Sequence, residues 1–158
     1  MDFNLLAIIV ASIVPIILGF LWYNPKSFGL IWMREADMTE EKMQSGNMAI
    51  IFAMSLLFSI LLAFFMQFVV IHETGAFGMV EGDKSSASYQ AFMNEFGGIY
   101  RTFRHGAIHG AMSGVFIALP ILAINALFER KSWKYILVNG GYWIVALAIM
   151  GSIISGWR

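Results

Sequence analysis

This sequence predicts an all-α fold, an integral membrane four-helix bundle, and three observations carry that prediction. Apolar residues gather in four long runs, at 3–23, 48–71, 102–128 and 135–157, with the purely apolar part of the third starting at Ala107. Each run is long enough to cross the ~30 Å hydrocarbon layer, which takes about 20 residues at 1.5 Å each. Hydrophobic residues make up 59% of the 158-residue chain and mean hydropathy is +0.72; soluble domains hold roughly 45–50%. Helices apolar all round must be buried, and four of them could not all be interior in so small a globule. No alternating strand pattern competes. The expectation is one transmembrane domain over 1–158.

The balance of residue types excludes several functions. Ten Lys and Arg offset ten Asp and Glu, so neither nucleic acid nor a polybasic lipid contact is expected as a partner. There are no cysteines, which removes thiolate metal sites, iron–sulfur clusters, disulfides and thiol catalysis together. The first run has no positive leader before it and no small-residue cleavage site after it, so it is expected to be a retained helix.

Helix one carries Ala7, Ala11, Pro15 and Gly19 along one side and stops at Asn24-Pro25, since proline disfavours helical geometry in the residue before it. Phe28, Ile31 and Trp32 then form a short apolar stripe suited to the headgroup layer. Thr39 with Glu40 and Glu41 looks like a capped helix start. From it, helix two is expected to begin in water and run on into its apolar part. The loop from Glu73 to Tyr100 should be irregular around Gly75, Gly78 and Gly82. Tyr89, Phe92, Met93 and Phe96 then recur at helical spacing opposite Gln90, Asn94 and Glu95. That pattern predicts a short amphipathic interfacial helix ended by Gly97-Gly98, a structural lid or a gating element.

Helix three places Gly106, Gly110 and Gly114 at intervals of four on one face. Helix four offers Gly151 with Ser155, and Ser152 with Gly156. Lipid tails are as apolar as leucine, so membrane helices associate through close approach at such small residues. The seam is either internal or between protomers. Pro15 and Pro120 each remove a hydrogen bond within a helix and predict kinks.

Basic residues set the threading. Lys26, Arg34, Lys42, Arg130, Lys131 and Lys134 fall on the side of loops one and three; Lys84, Arg101, Arg104 and Arg158 fall on the other. The bias places both termini outside.

Two polar groupings are candidate sites. His72, His105 and His109, the only histidines, should lie near one membrane face, with His105 and His109 one helical turn apart as two ligands of one metal would be. Glu73 is placed to add a carboxylate. Arg101 and Arg104 argue against a cation there and would favour neutral histidines. Metal ligation, proton relay or anion contact, and plain interfacial hydrogen bonding all stay open. At the other face Asn24, Asn125, Glu129, Asn139 and Tyr142 gather beside Trp22 and Tyr23, as a binding pocket or as cross-helix amides under an aromatic belt. There is no HExxH, no GxSxG and no phosphate loop, so neither catalysis nor a cofactor is expected.

Gly19-Phe20-Leu21-Trp22-Tyr23-Asn24-Pro25, then Phe28-Gly29 and Trp32-Met33, form one motif. Phe128-Glu129-Arg130, Asn139-Gly140-Gly141-Tyr142, Ala146-Leu147, Met150-Gly151 and Gly156-Trp157 form another. In that order they resemble the bacterial family called domain of unknown function 1761, over more than half of the chain. The resemblance implies a small multi-pass protein of the bacterial inner (cytoplasmic) membrane, without an assigned activity. The function expected is non-enzymatic: self-association, or service as a subunit of a membrane complex, with the bilayer and a second copy or another membrane protein as partners. The alternatives are a small transporter or channel with polar groups along an interior path, and metal binding by the histidines.

Overall fold

The computed structural model describes residues 4–157, and they are helical through most of their length, with no strand among them. Four helices are long and apolar enough to cross a membrane: α1 (Leu5–Trp22), α4 (Met48–Val70), α7 continued by α8 (Phe103–Ser113 and Leu119–Phe128), and α9 (Trp133–Gly156). The protein is a multi-pass, all-helical membrane protein. Their outward faces carry Leu5, Ile9, Phe52, Phe65, Phe116 and Ile124, all exposed. That much exposed apolar surface suits acyl chains and not water.

Each spanning helix starts on a polar cap. Asn4, Asn47, Thr102 and Ser132 accept from the backbone N–H of Ala7, Ile50, His105 and Tyr135, pairing a donor the helix cannot pair itself. The cap at Ser132 starts helix four at Trp133, two residues before its apolar run. The carbonyl of Trp157 accepts from Asn4 Nδ2 at 3.1 Å, which ties the end of α9 to the start of α1.

Helix α9 is the centre. It packs against α1, α4, α7, α8 and the loop-one helix α2 (Gly29–Glu35), and half of its apolar window is buried against 11% for α4. The core joins Ile8 and Ala11 of α1 to Ala63, Met66 and Val70 of α4 and to Leu147, Met150 and Ile154 of α9. The glycine face of α7 lies on α9: a Cβ on Gly106 would overlap the Gly151 carbonyl, and one on Gly110 the Leu147 carbonyl. The stripe Gly106, Gly110, Gly114 is therefore an internal seam, whose backbone contact no larger residue would permit.

Two expectations need correction. The capped segment at Thr39 forms its own helix, α3 (Glu40–Ser45), and the chain breaks at Gly46 before Asn47 restarts it as α4. Gly75 and Gly78 lie in a helix, α5 (His72–Met79), where irregular chain was expected. Neither glycine has anything within reach of an added Cβ, so the bend comes from extended Ile71 (φ −114°, ψ 105°) and not from glycine freedom. Pro120 is preceded by a π turn, Gly114–Ala118. Proline has no N–H and crowds the carbonyl four residues back, so a wider turn there accommodates it. The amphipathic helix in loop two is present as α6 (Ala87–Phe96), capped by Ser86 and followed by Gly97.

Two non-glycine turns sit at the loop-one and loop-three end. Asp37 and Arg130 have φ of 54° and 57°. In each, the next residue's N–H reaches back to a carbonyl five positions earlier, Met38 to Met33 and Lys131 to Ala126, the arrangement that ends a helix through one left-handed residue.

Candidate functional site

Three histidines that are far apart in the chain meet at the loop-two end of the bundle. His72 opens α5, directly after the bend at Ile71; His105 and His109 lie one turn apart at the start of α7. One ring nitrogen from each lies within 4.8 Å of the others. His105 Nε2 and His72 Nε2 are 2.8 Å apart, so one ring donates and the other accepts. Ring centroids stand 4.3 Å apart for His105 and His109, 4.8 Å for His72 and His105, and 5.1 Å for His72 and His109. His72 is exposed and the other two half-buried. The seam on α9 sets this geometry, because Gly106 between the two α7 histidines lets that helix approach closely enough to bring them under His72.

A cavity of about 420 Å³ opens beside His72, walled by Phe92 and Phe96 of α6 and by Tyr100. Tyr100 packs edge-on to His72 at 5.3 Å and tilted to His105 at 5.0 Å. No sequence pattern pointed to it, since its carbonyl is positioned by the hydroxyl of Ser155, far along the chain. Glu73, expected as a possible ligand, turns elsewhere: its carboxylate accepts from Gly98 N–H at 2.8 Å and pairs with Arg101 at 3.6 Å. Arg101 also donates to the Ser155 carbonyl. Of the two guanidiniums expected to repel a cation at the histidines, Arg101 is thereby engaged with Glu73 and α9, and Glu73 ties the end of α6 down over the cavity.

The polar grouping at the opposite end is divided by the structure. Tyr23 donates to Asn139 Oδ1 at 2.8 Å, Trp22 Nε1 to the Val138 carbonyl at 3.0 Å, and Tyr142 to the Pro15 carbonyl at 2.6 Å. The Tyr23–Asn139 bond joins the two motifs that carried the family resemblance. Asn24 closes its own turn, accepting from Lys26 N–H, and lines one cavity with Tyr23 and Tyr142. Asn125 is apart: with Glu129 it lines a different cleft, between α4 and α8. The π turn adds a residue and so rotates the following face of the helix by about 100°.

Loops one and three are latched beside this end. Ser132 donates to Glu35 at 2.5 Å and Lys131 to Asp37 at 2.7 Å. The Ser132 and Arg34 hydrogen bonds hold the Glu35 carboxyl below its ordinary value. The Lys131 hydrogen bond does the same to Asp37, and Asp37 in turn raises Lys131.

No curated protein and no solved structure matches the chain. A family model does, from residue 6 to residue 155, and so takes in all four spans, the histidine group and the joined Tyr23–Asn139 motifs. By that match the chain belongs to the family described as protein of unknown function (DUF1761).

Proposed function

We propose that this is a non-enzymatic membrane protein whose histidine group binds one late first-row divalent metal ion, zinc or copper, in exchangeable form. The observation behind it is the convergence of His72, His105 and His109 from two separate segments to within 4.8 Å. Ligands held at 2.0–2.1 Å by a tetrahedral ion sit about 3.4 Å apart, so small ring rotations would bring the three nitrogens onto one ion. Imidazole suits zinc and copper in particular. Three protein ligands beside a cavity that His72 faces leave a fourth position open to water or an exchanging ligand, unlike the closed four-ligand pattern of a structural zinc site.

The test is to strip the detergent-extracted protein with a chelator and titrate it with Zn²⁺ and with Cu²⁺. One ion per chain is expected. His105→Ala and His109→Ala should each lower affinity by at least about tenfold, the usual scale for a lost metal-site interaction, while leaving the helical spectrum unchanged. Binding that is non-stoichiometric, or indifferent to both substitutions, overturns the proposal.

Self-association or membership of a larger complex takes no support from the glycine stripe, since α9 already occupies that face. Transport takes none from the layer between the two ends, where Ala11, Ala63, Met66, Leu147 and Met150 pack together.

A further inference from the structure

We infer, resting on the metal reading of the histidine group, that Tyr100 and Ser155 are its positioning residues: the end of α9 tunes affinity for the ion without supplying a ligand. Three imidazoles bind one ion tightly only if their rings already face a common point, because rotamer freedom given up on binding weakens it. His72 has the most freedom to lose, since it is exposed and opens α5. Tyr100 limits that freedom. Its ring stands edge-on to His72 (5.3 Å, 83°) and tilted against His105 (5.0 Å, 34°), so one side chain braces two of the three ligands. Edge-to-face ring pairs are a favoured arrangement, and turning an imidazole out of place would lose one of these contacts.

Tyr100 itself lies in the turn between α6 and α7 and is 50% exposed, so its place has to be fixed from elsewhere. Ser155 fixes it. That residue is fully buried on α9. Its hydroxyl donates to the Tyr100 carbonyl at 3.2 Å, and its own carbonyl accepts from Arg101 Nε at 3.1 Å. One residue of α9 thus holds two successive residues of the turn, and each passes the hold on towards a ligand. The Tyr100 carbonyl also accepts from Thr102 N–H at 2.8 Å, and Thr102 caps α7 at the His105 N–H. Arg101 pairs with Glu73, the neighbour of His72 in the chain.

The two roles can be separated by substitution. Ser155→Ala keeps the Cβ that lies against Gly106 and leaves the Tyr100 carbonyl its bond from Thr102. The seam and the turn then persist while the tie between them is lost. Tyr100→Leu removes the flat ring at an exposed position; Tyr100→Phe keeps the ring and removes the hydroxyl.

The test takes these variants of the full chain in detergent. It titrates each with Zn²⁺ and records visible absorption with Co²⁺ at saturation, which reports coordination geometry and is unmoved by a change in stability alone. Tyr100→Leu and Ser155→Ala should each weaken Zn²⁺ binding by about tenfold, the lower end of what outer-sphere partners of a metal site contribute, and alter the Co²⁺ spectrum. Tyr100→Phe should match the native chain in both. Native behaviour of either Tyr100→Leu or Ser155→Ala overturns the inference, and does so without touching the histidine reading if the native chain still takes up one ion. A loss in Tyr100→Phe equal to that in Tyr100→Leu also overturns it, by making the phenol a ligand. A native chain that takes up no ion removes both.

Discussion

At the scale of single residues, the buried polar atoms carry the most information. Among the described residues, Gln67 Nε2 is buried without a hydrogen-bond partner, on the part of α4 that packs into the core. A buried donor left unpaired costs about 1–3 kcal/mol. Gln67→Leu keeps the volume and removes the donor, so thermal unfolding in detergent should shift upward, by about 1 kcal/mol of stability. A downward shift would mean that a bound water or ion satisfies the amide. The histidines show what residue-level sequence reasoning reaches. Their common membrane face followed from the spans alone, but their convergence depends on the bend at Ile71 and on the α7–α9 seam, both products of packing. The partners of Glu73 and Arg101 were not legible for the same reason: spacing along the chain does not say that a carboxylate will turn to the backbone of Gly98.

Among the elements, the spans and α6 were legible because hydropathy and helical period are local signals. Breaks were less so. Gly46 separates α3 from α4 with no proline to mark it, and α5 forms through two glycines. Asn125 follows the π turn, whose extra residue shifts the helical phase in a way that single-sequence periodicity does not show. The latch between loops one and three carries a prediction with a definite sign. Glu35 and Asp37 have folded values below their ordinary 4.5 and 3.8. Their contribution is complete above those values and is lost as pH falls through the lowered ones. Lys131 is raised above 10.5, so its share is complete below that value and is lost as pH climbs past the raised one. The latch therefore holds across neutral pH and opens in acid. Lys131→Met should make thermal unfolding less sensitive to acid than in the parent; equal acid sensitivity in both would show that the latch does not hold the loops.

For the whole molecule, the orientation expected from the basic residues has a direct test, because the chain contains no cysteine. A single cysteine introduced at Ser88, in α6, should react with a membrane-impermeant maleimide in intact cells. One introduced at Ser45, in α3, should react only after the membrane is opened. The reverse pattern inverts the threading and places the histidine group on the cytoplasmic side.

The central position of α9 also bears on how the protein is made. Ribosomes deliver the chain from its amino end, so α1, α4 and the α7–α8 span reach the bilayer before the helix they all lean on has been translated. Until Trp133–Gly156 emerges, Gly106 and Gly110 have only lipid to touch, and the earlier spans wait as loosely held neighbours. Assembly of the earlier spans therefore turns on the arrival of α9.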